Sequence, residues 1–150
     1  MKQSEADLQA LQLWMEELWR VPKGDHCKVN QVLYHLGSRG IEYALLPWLK
    51  EHQVVMMAYC PLAQAGSLRR ELTQNASVKQ VARKNGLSEM QVLLAFVLYQ
   101  ENVIAIPKAG KPEHIQENAK MADFKLTEED YQLLSNAFPA PKNKTYLDIV

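Results

Sequence analysis

The sequence predicts an α/β fold built on a parallel sheet, because short apolar segments alternate along the chain with segments of helical periodicity. The predicted strands cover residues 28–34, 54–59 and 103–106. Residues 54–59 are apolar throughout, which is typical of a strand covered on both faces. With 150 residues, 47% of them hydrophobic, the chain is long enough to bury a core as a single domain.

Helices are predicted between and around these strands. Apolar residues recur at helical spacing over residues 4–20 and 41–52, whereas residues 62–74 are predicted to form a loop. Gly86 marks one helix end, and the buried side of the next helix comprises Met90, Leu93, Leu94 and Val97. Helix starts are predicted at Ser77 with Gln80, Ser88 with Gln91, Pro112, and Thr127 with Asp130.

Composition excludes several classes of function. Seventeen Lys and Arg residues balance seventeen Asp and Glu residues, so no overall field attracts nucleic acid or an anionic membrane. The two cysteines are too few for a disulfide scaffold, and no apolar stretch approaches the roughly 20 residues of a membrane span. The four histidines lack the spacing of a zinc site. We therefore expect a cytoplasmic protein without a metal.

Chemically useful side chains lie where the predicted strands end. Gln31, Tyr34 and His35 belong to the end of the first strand, Tyr59 to that of the second, and Lys108 to that of the third. Parallel strands bring their carboxyl ends to one edge of the sheet. An amide, an aromatic ring and a cation beside a helix start suit the amide, ring and phosphate of a dinucleotide. No Gly-x-Gly-x-x-Gly motif is present, which argues against Rossmann binding.

Four segments, in order, resemble the aldo-keto reductase family. They are Val-Asn-Gln at 29–31, Ala-Tyr-Cys-Pro-Leu at 58–62, Ile-Pro-Lys at 106–108 and Glu-His-Ile-Gln-Glu-Asn at 113–118. The chain from about residue 25 resembles bacterial members that reduce methylglyoxal or 2,5-diketo-gluconate. The resemblance implies the C-terminal half of a (β/α)8 TIM barrel. Residues 1–24 would then be a diverged N-terminal helix, 25–139 the barrel strands and helices, and 140–150 a C-terminal tail.

The resemblance also implies a cofactor site for NADP(H) or NAD(H). In such a site Gln31 binds the nicotinamide carboxamide, Tyr59 stacks on the nicotinamide ring and Lys108 reaches the 2′-phosphate. The loop beside the pyrophosphate contains Cys60, Leu62 and Gln64, and the adenine-binding pair is Glu117 with Asn118.

Two positions depart from the family pattern and leave the choice of cofactor open. Ala109 stands where the family usually has Ser or Thr, and His114 stands where it usually has Arg. Both replacements remove contacts to a 2′-phosphate.

The family's catalytic Asp, Tyr, Lys and His have no counterpart in this sequence, so no catalytic residue is predicted. The complete family enzyme would reduce a small aldehyde or ketone, and this chain would be a truncated form. Its inward strand residues, including Val29, Met57 and Ile104, would lack the rest of the barrel. Self-association, or pairing with a complementary half-barrel, is therefore expected. A nucleotide-binding module without catalysis and a purely self-assembling remnant are the alternatives.

Overall fold

The computed structural model describes residues 19–145 together with residues 147 and 148. Strands and helices alternate along this part of the chain, and two short 3-10 helices, Gly24–His26 and Gly40–Glu42, join them. The elements are β1 (Val29–Leu33), α1 (Leu45–Glu51), β2 (Val55–Tyr59), α2 (Ser67–Gln74), α3 (Ala76–Asn85), α4 (Glu89–Leu98), β3 (Val103–Ala105), α5 (Pro112–Lys120) and α6 (Glu128–Ala137).

The three strands form one parallel sheet in the order β1-β2-β3. Val29 of β1 pairs with Val55 of β2, and Met56 of β2 pairs with Val103 of β3. Helices connect successive strands, as parallel pairing requires. The predicted partial (β/α) barrel with three parallel strands is thus confirmed.

The two faces of the sheet differ in burial. On one face Val32, Met56 and Ala58 are buried under the helices. On the other, which we call the open face, Val29 and Ile104 are 43% and 44% exposed. The prediction that residues 54–59 are covered on both faces was wrong for the open face, where Val55, Met57 and Tyr59 are only half-buried. Strands that would close a barrel over these side chains are absent from the described residues.

Helix α4 is the centre of the core. All six residues from Val92 to Val97 are buried, so the helix is apolar all round rather than along the single predicted stripe. It packs against β3 on one side and α3 on the other. Its Phe96 ring lies 6.1 Å from that of Tyr34 and 5.3 Å from that of Tyr131, measured between centroids.

Most predicted helix ends are confirmed. Ser88 and Gln91 form a capping box, Thr127 caps α6, and Gly86 ends α3 with φ at 65°. The prediction for α3 was wrong at its start, since Asn75 rather than Ser77 supplies the cap: the Ser77 N–H donates to Asn75 Oδ1 at 2.8 Å. An asparagine two residues earlier satisfies the free amide first.

The predicted loop over residues 62–74 was also wrong, because Ser67–Gln74 forms α2. Leu72 is the only residue of α2 that is fully buried. The helix has just two apolar residues, Leu68 and Leu72, so its helical spacing consists of a single pair.

Most of the predicted helix over residues 4–20 lies outside the described residues. Its last two, Trp19 and Arg20, are helical, and the Trp19 ring packs edge-on against Trp48 at 5.5 Å and His52 at 4.8 Å. The described part of the tail, residues 140–145, 147 and 148, contains no helix or strand.

Candidate functional site

The amide and the aromatic ring of the predicted site lie on the same face of neighbouring strands. Gln31 pairs with Met57 across β1 and β2, and Leu33 pairs with Tyr59 two residues further on. Because side chains alternate along a strand, Gln31 and Tyr59 both belong to the open face. Gln31 is exposed and Tyr59 is half-buried. The Gln31 amide is exposed and lies diagonal to the half-buried Tyr59 ring. This arrangement suits a ligand with a planar ring that carries a carboxamide.

Tyr34 and His35 do not join this site. Tyr34 has no exposed surface, and His35 is 2% exposed. The Tyr34 hydroxyl donates to Glu42 Oε1 at 2.7 Å, within the core side of the sheet. Of the side chains predicted at the end of the first strand, only Gln31 reaches the open face.

The loop after β2 makes a tight turn beside Tyr59. The Ala63 N–H donates to the carbonyl oxygen of Cys60 at 2.9 Å. Cys60 and Ala63 adopt left-handed conformations, with φ at 50° and 57°. Leu62 packs against the core, whereas Gln64 is exposed. Cys60 and Leu62 thus lie in one compact turn, Cys60–Ala63, at the carboxyl end of β2, and Gln64 follows it directly.

Arg69, which the sequence analysis did not single out, holds this turn. Its Nε donates to the Leu62 carbonyl oxygen at 3.0 Å, and its Nη2 donates to the Ala63 carbonyl oxygen at 2.6 Å. The only signal in the sequence was an arginine six residues after Ala63, within a segment predicted as loop. Since backbone carbonyls carry no residue signature, the contact could not be read from residue types.

The third strand end leads to a largely exposed helix. The Ile106 N–H donates to the Ala58 carbonyl oxygen at 3.1 Å, so strand pairing continues past β3. Lys108 follows and is exposed. Helix α5 then begins at Pro112 without a side-chain cap from Lys111, which leaves first-turn N–H groups for solvent or an anion.

The remaining predicted residues lie on α5. His114 and Glu117 are exposed, and Asn118 is half-buried. The Glu117 carbonyl oxygen accepts a hydrogen bond from Gln91 Nε2 of α4 at 3.5 Å. The structure thus places His114, Glu117 and Asn118 on a single exposed helix after β3 and Lys108 in the loop before that helix, while Gln31 and Tyr59 lie on the sheet.

A buried ion pair fixes the segment that follows β1. Arg39 and Glu42 form a two-pronged pair, with Nε to Oε1 and Nη2 to Oε2 both at 2.7 Å. Arg39 Nη1 also donates to the Phe138 carbonyl oxygen at 2.6 Å. Burial and the adjacent Glu42 carboxylate raise the Tyr34 pKa well above its usual value. The hydroxyl therefore stays protonated and keeps donating to Glu42.

His35 lies in a second buried polar cluster near the tail. Its Nδ1 accepts a hydrogen bond from the Gly37 N–H at 3.1 Å, which requires the neutral ring. Burial lowers the His35 pKa to about 4, against an opposing effect of Asp148. The Ser38 hydroxyl donates to the Asp148 carboxylate, so the tail is tied to the turn after β1.

The described part of the chain has neither a metal-binding cluster nor a membrane-spanning helix. Among residues 19–145, 147 and 148, no group of three or more His, Cys, Asp or Glu side chains is placed to hold a metal ion. Over that same part of the chain, no helix has both the length and the apolar character to cross a membrane.

A parallel sheet with helices packed on one face, and with polar and aromatic groups gathered after its strands, is part of a β/α barrel. The sequence model of the aldo/keto reductase family matches residues 14–137. The chain therefore belongs to the aldo/keto reductase family.

Individual relatives agree with this assignment. Methylglyoxal reductase YeaE of Escherichia coli is 52% identical over 136 residues, covering 91% of this chain. Two structures of aldo/keto reductase from Klebsiella pneumoniae, one in complex with NADP and acetate and one with NADPH, are each 46% identical. Both superpose with a TM-score of 0.84 over 99% of this chain.

The match covers only part of each relative. This chain spans 48% of the Escherichia coli reductase and 50% of each Klebsiella pneumoniae chain. It thus corresponds to about half the length of the family members that it matches.

Proposed function

We propose that this chain forms the cofactor side of a carbonyl-reducing aldo-keto reductase and binds NADP(H) or NAD(H). The observation that carries the proposal is the placement of Gln31 and Tyr59 on one open face of neighbouring strands, with Gln31 midway along β1 and Tyr59 at the carboxyl end of β2. Relatives of the same family and similar fold are complexes with NADP and NADPH. The half-buried ring and the exposed amide fit the nicotinamide end of such a cofactor.

Each predicted site residue has a binding role in this proposal. The Tyr59 ring lies flat against the nicotinamide, and the Gln31 amide orients its carboxamide. The turn Cys60–Ala63, which includes Leu62, and the following residue Gln64 lie beside the pyrophosphate. At the other end of the cofactor, Lys108 contacts the phosphate on the adenosine ribose and His114 lies nearby, while Glu117 and Asn118 hold the adenine.

When bound, the cofactor supplies the hydride that reduces a small aldehyde or ketone. The chain's own residues bind and orient the hydride donor. Protonation of the carbonyl oxygen needs an acid, which the family draws from a tyrosine that has no counterpart in these 150 residues. We therefore propose that the chain alone binds the cofactor without turning over substrate.

A fluorescence titration with NADPH and NADH tests the cofactor site. Tyr59→Ala should raise the NADPH Kd by about 5- to 150-fold, because stacking of a ring on an aromatic face is worth about 1 to 3 kcal/mol. Tyr59→Phe keeps the stacking face and should bind like the wild type. Tyr43→Ala, at a tyrosine that is 50% exposed outside the sheet, is the matched control. Absence of saturable binding up to millimolar cofactor would refute the proposal and favour a self-assembling remnant.

Cofactor choice is tested with the same titration. Lys108→Ala should weaken NADPH more than NADH, because only NADPH carries the 2′-phosphate. His114→Arg should restore a contact typical of the family and tighten NADPH selectively. An equal effect of Lys108→Ala on both cofactors would place the lysine away from the 2′-phosphate.

We also propose that the open face is covered in solution by a second copy of the chain or by a complementary half-barrel. Ile104 and Ile106 are 44% and 40% exposed there, and within the described residues β1 and β3 have no strand beyond them. Sedimentation at micromolar concentration should show association, which Ile104→Lys weakens. A sharp monomer mass for the wild type would exclude a second copy. The cytoplasmic location remains a prediction.

A further inference from the structure

We infer that Arg69 is a positioning residue that fixes the turn Cys60–Ala63 in the shape that binds the cofactor pyrophosphate. This inference rests on the proposed function, because the pyrophosphate role of the turn comes from family resemblance. Arg69 itself is assigned from geometry: its Nε and Nη2 bind two consecutive carbonyl oxygens, at 3.0 Å and 2.6 Å.

The turn needs external support because its backbone is strained. Cys60 and Ala63 have φ at 50° and 57°, a region that residues with a Cβ atom rarely adopt. Such conformations persist only where surrounding contacts hold them in place. The hydrogen bond from the Ala63 N–H to the Cys60 carbonyl closes the turn. The two bonds from Arg69 hold the peptide group that contains this N–H and the peptide group after it.

Those bonds also set the direction of an amide donor. The carbonyl of Ala63 and the N–H of Gln64 belong to one planar trans peptide, in which they point in opposite directions. Arg69 draws the Ala63 carbonyl toward α2, so the Gln64 N–H is directed away from α2. A backbone N–H presented at a turn is a typical donor to a phosphate oxygen. The arginine thereby orients a donor without contacting the cofactor itself.

The guanidinium can act through its shape or through its charge, and two variants separate these effects. Arg69→Lys keeps the positive charge but lacks the planar fork that binds two carbonyls. Arg69→Gln removes the charge as well. Arg70→Gln is the matched control, since Arg70 is the exposed neighbour on the same helix. The positioning role predicts that Arg69→Lys is nearly as impaired as Arg69→Gln.

The test compares two ligands, NADPH and adenosine 2′-phosphate, by NMR titration of the whole chain. Adenosine 2′-phosphate lacks the pyrophosphate, so it reports on Lys108 and α5 alone. Both Arg69 variants should raise the NADPH Kd about tenfold, with the Kd for adenosine 2′-phosphate within twofold of the wild type. Hydrogen exchange at the Gln64 amide should be faster in both variants. Arg70→Gln should change none of the three measurements.

The possible failures are distinguishable. If the wild type binds no NADPH, the proposed function and this inference fall together. If the wild type binds NADPH and the Arg69 variants bind it within twofold, the inference alone is refuted. An equal loss for both ligands would also refute it, because Arg69 would then support the fold in general. An Arg69→Lys variant that binds NADPH like the wild type would assign the effect to charge and refute the positioning role.

Discussion

The buried His35 predicts a pH-dependent loss of stability between pH 7.5 and pH 5. The His35 pKa is lowered to about 4 by burial, whereas a histidine in an unfolded chain titrates near 6.5. Between these values the unfolded state binds more protons than the folded state. The free energy of unfolding therefore falls as the pH is lowered through that range.

The magnitude follows from the difference of about 2.5 pKa units, which at 1.36 kcal/mol per unit amounts to about 3 kcal/mol once the pH is well below 4. At pH 5 the same linkage gives a loss of about 2 kcal/mol. That loss is a large share of the stability of an ordinary domain, which is about 5 to 15 kcal/mol.

Urea unfolding at pH 7.5 and pH 5.0, followed by tryptophan fluorescence, measures this loss. His35→Asn offers an uncharged acceptor to the Gly37 N–H and should be less stable at pH 7.5, but with most of the pH-dependent loss removed. His26→Asn, at an exposed histidine, should retain the wild-type pH dependence. The reasoning is refuted if His35→Asn loses as much stability between the two pH values as the wild type.

Three further substitutions test the packing of the helices by the change in the free energy of unfolding. Phe96→Ala should cost about 4 kcal/mol, since the ring is fully buried and truncation leaves a cavity; a cost below about 1 kcal/mol would contradict that packing. Asp130→Asn should cost about 2 kcal/mol at pH 7, because the carboxylate accepts from Lys84 at 2.8 Å and from Asn85 at 3.0 Å. Burial opposes the charged form of Asp130, but these bonds lower its pKa, so the difference from the wild type should shrink below pH 3.8; a constant difference would exclude ionisation as the cause. Gly86→Ala should cost about 1 kcal/mol from backbone strain at φ 65° alone, since no heavy atom lies within 4 Å of the added Cβ; an unchanged denaturation midpoint would argue against the left-handed cap.

The sequence predicted those elements whose signal is local. Continuous apolar runs marked β2 and β3, and the side chains of Ser88 and Thr127 marked helix starts because a cap bonds to an amide only three residues away. Helix α2 escaped prediction because it buries a single residue, so its stability depends on contacts that the sequence does not display.

Part of the candidate site could be predicted from the sequence, and part could not. The order of the strands along the chain was enough to predict that Gln31 and Tyr59 lie on neighbouring strands of one sheet. Gln31 was placed at a strand end by the sequence but lies midway along β1. Arg69 was missed because its partners are backbone carbonyls. The burial of Tyr34 was missed because Tyr34 belongs to the polar network of Arg39, whose partner Phe138 lies far along the chain. His35 lies in the separate cluster of Gly37, Ser38 and Asp148, and Asp148 is likewise distant in the sequence.

The hydrogen bonds of Arg39 affect the order in which parts of the chain fold. Arg39 Nη1 binds the carbonyl of a residue 99 positions later in the chain, whereas Glu42 is only three positions away. During synthesis the pair with Glu42 is available early, but the bond to Phe138 must wait until α6 has left the ribosome. Closing so long a segment is entropically slow. A nascent chain therefore carries Arg39 without its Phe138 acceptor until α6 docks, and that docking completes the hydrogen bonding of the arginine.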